Sequence, residues 1–235
     1  MTEMESTPPT QRLRGRSVAR EYLESIVVAV ILALFIRTFA VQAFKIPTGS
    51  MESNLLIGDY LLVNKLVYSP SAGDWEARIF GKKQIERGHV VVFKFPETPE
   101  KDFIKRVIGL PGESIEIRAR KVYVDGKPLD EPYVQFLDPP QEPQERAVSP
   151  RDFYGPQIVP PGHLFVMGDN RDRSHDSRFW RFLPIDQVKG RALLVYWSYG
   201  ASREEFQRTG VVNWVKDTAS APFRARWGRL FKVIR

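Results

Sequence analysis

Cysteine is absent from the 235 residues, which excludes disulfides, thiol nucleophiles and thiolate metal sites but does not identify a compartment. Histidine occurs three times, at His89, His163 and His175. A Ser-His-Asp arrangement therefore has little to draw on. The wholly apolar stretch Ile26 to Ile36 has eleven residues, short of the roughly 20 that cross a bilayer. No internal repeat is visible, and helical periodicity is scarce after Leu55.

What is present is a chain long enough for one sizeable core plus an appendage. The formal charge of +7 and isoelectric point near 9.6 suit a nucleic acid, an anionic membrane surface or an acidic partner. No helix-turn-helix pattern precedes the strand-rich region, which counts against nucleic acid.

Residues 1–21 are polar, with arginines at 12, 14, 16 and 20, and read as a cytoplasmic tail. Extending the apolar stretch to residues 22–44 supplies the length of a single transmembrane helix, with Glu24, Arg37 and Gln42 near the interfaces. The arginines place the tail inside and everything after Phe44 outside. The competing reading is a cleaved secretory signal ending at Val41-Gln42-Ala43. Arg37 interrupts that pattern, and the retained anchor is preferred. Ser50 follows Phe44 by six residues, a reach of at most about 20 Å, so it is expected close to the membrane surface.

Residues 45–223 read as a mainly β domain with a coiled or barrel-like antiparallel sheet. Strands are expected over Tyr60–Leu66, Val90–Phe95, Phe103–Leu110, Ser114–Arg118, Lys121–Val124, Leu164–Met167 and Ala192–Trp197. Asp125-Gly126 between apolar runs is a hairpin signal. Residues 128–161 hold nine of the 18 prolines and read as an irregular excursion. The basic, bulky tail over 224–235 reads either as an interfacial helix on anionic lipid or as a solvated C-terminal helix or disordered basic tail.

Two segments carry potential chemistry. Ser50 lies in IPTGSME, where proline and glycine shape the backbone tightly. Lys105 lies inside the apolar strand FIKRVIG. Burial lowers the pKa of a lysine, so Lys105 is a candidate neutral base, whereas Arg106 stays charged. Strand alternation does not say which of the two faces is buried. The stretch MGDNRDRSHDSRFW (Met167–Trp180) concentrates polar residues after a strand. It fails as a calcium loop, with Ser177 at the glycine position and Leu183 at the terminal glutamate position. His175 is adjacent to Asp176, which tends to point the two side chains apart.

Taken together, PTGSM (Pro47–Met51), GDYLLVNK (Gly58–Lys65), RGHVVVFKFP (Arg87–Pro96), FIKRVIGLPGE (Phe103–Glu113) and GDNRDRSHDSR (Gly168–Arg178) resemble the bacterial type I signal peptidase (leader peptidase) family. These are membrane-anchored serine proteases with a serine-lysine dyad. Each segment alone is weakly specific, and their occurrence in the family's order is strongly so.

The resemblance implies Ser50 as nucleophile, Lys105 as general base, and the Ser50 N–H with the Thr48 hydroxyl as oxyanion hole. It further implies that Ser174 orients the Lys105 amine, that Asp176 and Arg178 form a supporting ion pair, and that Ile104 lines a shallow substrate pocket. The implied partners are secretory preproteins cut after Ala-X-Ala-type sites, and membrane lipid. No cofactor, metal or nucleic acid is implied. The implied location is the bacterial cytoplasmic membrane, crossed once, with the catalytic domain outside.

Three positions depart from the family's pattern. Glu52-Ser53-Asn54 stands where many members have proline and threonine, His89 stands where an aspartate is usual, and Arg181 replaces a common glycine. Two rivals remain at the sequence level. One is a membrane-tethered, non-catalytic β-domain that binds a partner; the other is a self-cleaving serine-lysine repressor.

Overall fold

The structure, a computed structural model, describes residues 18–37, 41–65, 84–140, 150–200 and 224–234. The chain divides into two units, Met1–Thr38 and Phe39–Arg235.

In the first unit, helix α1 covers Val18–Phe35. Its charges sit in the first two turns, where Arg20 pairs with Glu24 at 2.8 Å, and from Ile26 onward its large apolar side chains are exposed. Among the described residues no helix is long and apolar enough to cross a membrane. The eleven-residue apolar stretch rises only about 17 Å as a helix. The transmembrane helix expected over 22–44 is therefore not found in that form. From Val41 the chain is already strand.

That strand, β1 (Val41–Lys45), pairs antiparallel with β2 (Asp59–Asn64) in the register Val41↔Asn64 to Lys45↔Tyr60. The strands that follow are β3 (Val90–Phe95), β4 (Thr98–Gly109), β5 (Ser114–Arg118), β6 (Lys121–Val124) and β7 (Lys127–Pro128). Beyond the proline-rich stretch come β8 (Tyr154–Ile158), β9 (His163–Met167), the one-turn helix α2 (Ser177–Trp180), β10 (Leu183–Pro184), β11 (Val188–Ser198) and β12 (Lys232–Val233). The larger sheet runs β1-β2-β11-β3-β4-β9-β10, with β12 added to β11; the smaller runs β7-β6-β5-β8. The described pairings are antiparallel strand to strand. The larger sheet is open among the described residues, because its end strands β1 and β10 do not pair with each other. The fold is mainly β and antiparallel, and among the described residues no closed barrel is formed.

Several strands differ from the sequence-based expectation for identifiable reasons. β4 begins at Thr98, earlier than Phe103, because Lys94↔Asp102 and Phe95↔Thr98 extend its hairpin with β3 around Pro96-Glu97. β8 lies inside the proline-rich 128–161 stretch; it is the outer strand of its sheet, where the missing N–H of Pro156 costs little. The tail forms neither an interfacial helix nor an irregular end over its described residues. It makes a 3₁₀ turn at Trp227–Arg229 and then β12 on β11.

Three apolar clusters fill the second unit. The one beneath the candidate site joins Ile46, Met51 and Leu55 to Val90, Val92 and Ile104. This packing ties the turn carrying Ser50 to β3 and β4.

Candidate active site

Ser50 sits in a 3₁₀ turn, Gly49–Met51. Met51 and Leu55 are fully buried and fasten the turn to the core, while the Leu55 N–H donates to the Met51 carbonyl at 2.8 Å. From the other side Asn170 clasps the turn. Its N–H donates to the Ser50 carbonyl at 3.1 Å, and its Nδ2 to the Gly49 carbonyl at 3.3 Å. Ser50 is only 6% exposed, so its hydroxyl is held and largely shielded from water.

Lys105, on β4, reaches the same point. Its Nζ lies 2.6 Å from Ser50 Oγ in a buried hydrogen bond. The ammonium donates in this bond; a neutral amine there accepts from the hydroxyl. Burial lowers the Lys105 pKa to about 8. The nearby Asp176 and Asp169 carboxylates oppose the shift and the Arg178 cation assists it. About a tenth of the amine is therefore neutral at pH 7.

Alternation left open which face of β4 is buried, and both are. Lys105 turns to Ser50, while Arg106, equally buried, turns to Asp169. Arg106 Nε donates to Asp169 Oδ1 at 2.8 Å and Nη2 to Oδ2 at 2.7 Å. Its guanidinium lies 4.0 Å from the Tyr133 ring centroid. Sequence reasoning assigned Asp169 no role. The signal was an arginine inside an apolar strand, which requires a buried carboxylate.

Asp176 and Arg178 form the expected ion pair, with Arg178 Nε 2.8 Å and Nη2 2.9 Å from the two carboxylate oxygens. The Asp176 carboxylate also accepts from the Gly168 N–H at 3.0 Å and caps α2. Burial pushes its pKa up, but Arg178, the Gly168 N–H and the nearby Ser174 hydroxyl outweigh this and leave it below the usual value.

Ser174 is brought into the site, yet it does not make the hydrogen bond to Lys105 that the resemblance implied. Its buried Oγ has no hydrogen-bond partner, although it stands near enough to Asp176 to help hold that carboxylate ionised. Gly168 makes this crowding possible. A Cβ there would lie 2.3 Å from Ser174 Oγ and 2.4 Å from the Ser50 carbonyl oxygen.

A cleft of about 930 Å³ opens over the pair, lined by Phe44, Thr48, Val92, Phe103 and Ile104 among others. Thr48 precedes the 3₁₀ turn, makes no capping bond to it with its side chain and lines the cleft. The Ser50 N–H is one of the turn's leading donors, which have no acceptor inside the turn. His175 also lines the cleft and packs against Phe95 and Phe179, with ring centroids 6.0 and 5.4 Å away. Among the described residues no hydrogen bond joins it to Ser50 or Asp176. The arrangement suits attack by an activated hydroxyl on a carbonyl carbon, with the proton passing to an amine.

Residues 19–197 match the family described as "Signal peptidase, peptidase S26". The chain is 38% identical to the probable signal peptidase I-2 of a Synechocystis species over 74% of this chain and 71% of that protein. It is 36% identical to the signal peptidase I of Leptolyngbya laminosa, covering 81% and 88%, and 33% identical to the signal peptidase I T of Bacillus subtilis, covering 87% and 99%. A crystal structure of a signal peptidase I from Enterococcus faecalis aligns with 46% of this chain and 97% of its own at 33% identity and a TM-score of 0.37. With the family match spanning well over half of its length, the chain belongs to the signal peptidase family, peptidase S26.

Proposed function

We propose that this serine endopeptidase of the signal peptidase family removes signal peptides from exported proteins by using Ser50 as nucleophile and Lys105 as general base. The observation that carries the reading is the buried 2.6 Å contact between Lys105 Nζ and Ser50 Oγ, made by a lysine whose pKa burial has lowered to about 8.

The neutral Lys105 amine takes the Ser50 hydroxyl proton as Oγ attacks the scissile carbonyl carbon, giving a tetrahedral oxyanion. The Ser50 N–H and the Thr48 hydroxyl are the donors assigned to that oxyanion. The Lys105 ammonium then delivers its proton to the departing amine, leaving an acyl-enzyme on Ser50. Water, deprotonated by the same amine, releases the signal peptide. The Asp176–Arg178 pair braces the segment that carries Ser174.

The substrates assigned are secretory preproteins cut after Ala-X-Ala-type sites, whose small side chains fit the shallow apolar wall containing Ile104. The location assigned is the bacterial cytoplasmic membrane, with residues 1–21 in the cytoplasm and the peptidase outside. Its support is the exposed apolar surface of α1 and the preceding arginines.

The test is cleavage of a precursor with an Ala-X-Ala site, in detergent, by wild type, Ser50→Ala and Lys105→Ala. Cutting after the last alanine by wild type alone, with both variants folded, is expected. An inert wild type, or a variant that cuts at the wild-type rate, overturns the dyad.

A further inference from the structure

The proline-rich stretch 128–161 returns to the active site at Tyr133. The backbone carbonyl of Tyr133 accepts from Ser53 Oγ at 3.1 Å and from Asn54 Nδ2 at 3.2 Å, and these residues directly follow the turn that carries Ser50. Its ring lies against Arg106, with the guanidinium carbon 4.0 Å from the ring centroid. Arg106 adjoins Lys105 on β4. One residue thus touches the supports of both members of the dyad.

Arg106 is held at its edges by hydrogen bonds. Nε and Nη2 donate to Asp169, and Nη1 donates to the Gly88 carbonyl at 2.8 Å. The face of the planar cation is left for packing, and the Tyr133 ring covers it. Arg106 is buried, where the attraction between a cation and a ring face is stronger than at an exposed site.

Tyr133 is itself fastened on either side. Its hydroxyl donates to Glu131 Oε1 at 3.2 Å, and Glu131 pairs with Arg171. The Gln135 N–H donates to the Asp169 carbonyl at 2.8 Å, and the Gln135 carbonyl accepts from the Arg171 N–H at 3.0 Å. Burial and the Glu131 charge raise the pKa of the Tyr133 hydroxyl, against the opposing Arg106 and Arg171 cations. The ring therefore stays neutral while Lys105 titrates.

We propose that Tyr133 is a positioning residue for the reaction: its ring, packed on Arg106, keeps β4 in register with the nucleophile turn and so holds Lys105 Nζ at Ser50 Oγ. The inference deepens the peptidase reading above and rests on it. Tyr133 acts through Arg106, since no described hydrogen bond or ring contact joins it to Ser50 or Lys105.

The experiment compares wild type, Tyr133→Ala, Tyr133→Leu and Tyr133→Phe on one Ala-X-Ala precursor in detergent, with kcat and KM measured across pH. Tyr133→Ala should lower kcat by about tenfold with KM nearly unchanged, because the dyad loosens while the cleft walls stay in place. It should also move the rising limb of kcat/KM to higher pH. The charges acting on Lys105 are Asp176, Arg178 and Asp169, and an Arg106 opened to water neutralises Asp169 less well, which favours the ammonium. Tyr133→Leu, apolar but without a ring, should behave as Tyr133→Ala does, and Tyr133→Phe should recover most of both losses.

A folded alanine or leucine variant with the wild-type kcat and the wild-type limb overturns the inference, even if it melts earlier. So does a phenylalanine variant as impaired as the alanine one, which would place the effect in the hydroxyl and Glu131. Tyr133 lies outside the apolar clusters, so both truncated variants are expected to fold, and failure of both to fold overturns a role confined to positioning. Failure of wild type to cut the precursor overturns the peptidase reading itself, and this inference with it.

Discussion

Asn54 Nδ2 donates to Asp169 Oδ2 across 2.8 Å, and so joins the nucleophile turn to the carboxylate that holds Arg106. The chain of contacts runs from the turn bearing Ser50, through Asn54 and Asp169, to Arg106, the immediate neighbour of Lys105 on β4. Asn54 Nδ2 and Ser53 Oγ also donate to the Tyr133 carbonyl at 3.2 and 3.1 Å. Serine and lysine are 55 residues apart, and this network adds a polar tie between their segments to the apolar packing beneath them.

Asn54→Ala should therefore lower kcat by about tenfold with KM nearly unchanged, because it loosens the spacing of the dyad and leaves the cleft walls in place. Asn54→Asp should do more harm, since it sets a carboxylate against Asp169. Steady-state kinetics on an Ala-X-Ala precursor checks both. A variant that melts earlier but keeps its kcat would show Asn54 to be structural only.

The lowered pKa of Lys105 gives a pH signature. Activity requires the neutral amine, so kcat/KM should rise with pH along a limb centred near 8. The linked effect on stability has a definite sign. The folded-state pKa is about 8 against 10.5 for an ordinary lysine, so between these values the unfolded chain binds more protons, and stability rises with pH through that window. Below it the buried site carries the charge and gains nothing further. In Lys105→Met the rise between pH 8 and 10 attributable to this group should vanish, as urea titrations at several pH values would show.

The strands legible in the sequence were those whose signals are local. β3, β5 and β6 kept their expected bounds because branched and aromatic runs end at turn residues such as Asp125-Gly126. β1, β8 and β12 were not legible, since each is strand only because a distant partner receives it: Asn64 for Val41, Ser114 for Ile158, Leu194 for Val233. In the site, the residue types at Ser50 and Lys105 suggested chemistry, but nothing in the spacing says that residues so far apart meet. Resemblance supplied that pairing. The Asp169–Arg106 pair was half legible, from the arginine alone, and the Asn54–Asp169 contact was not legible at all, because it joins two loops 115 residues apart.

Two of the departures from the family's pattern have opposite consequences for the backbone. Ser53 holds φ at 82°, which a proline ring, locked near −65°, cannot adopt. Restoring the family's proline with Ser53→Pro should therefore destabilise the protein and lower kcat by shifting the nucleophile turn. Arg181, where a glycine is common, holds φ at 73° with ψ at −112°, a conformation that favours glycine. Arg181→Gly should stabilise by about 1 kcal/mol, the relief of strain exceeding the entropy lost by glycine on folding. Thermal melts of the two variants should move in opposite directions. A proline variant as stable as wild type would mean that the turn adopts a second conformation.

The tail also reaches a buried carboxylate, Asp59. Asp59 is fully buried and accepts from Arg229 Nε at 3.1 Å and Nη2 at 2.5 Å, from Ser198 Oγ at 2.6 Å and from the Leu56 N–H at 2.8 Å. Arg229 Nη2 also donates to the Asn54 carbonyl at 2.8 Å, so the tail braces the segment that follows the nucleophile turn. Arg229→Ala strips the buried carboxylate of its cation and should cost about 3–5 kcal/mol. Asp59→Asn in the Arg229→Ala background should recover part of that loss, because the uncompensated charge is gone while much of the hydrogen bonding to Ser198 and Leu56 remains. Urea unfolding of the two single variants and the double variant measures the cycle. Additive losses would mean that Arg229 acts through packing of the tail and not through the charge of Asp59.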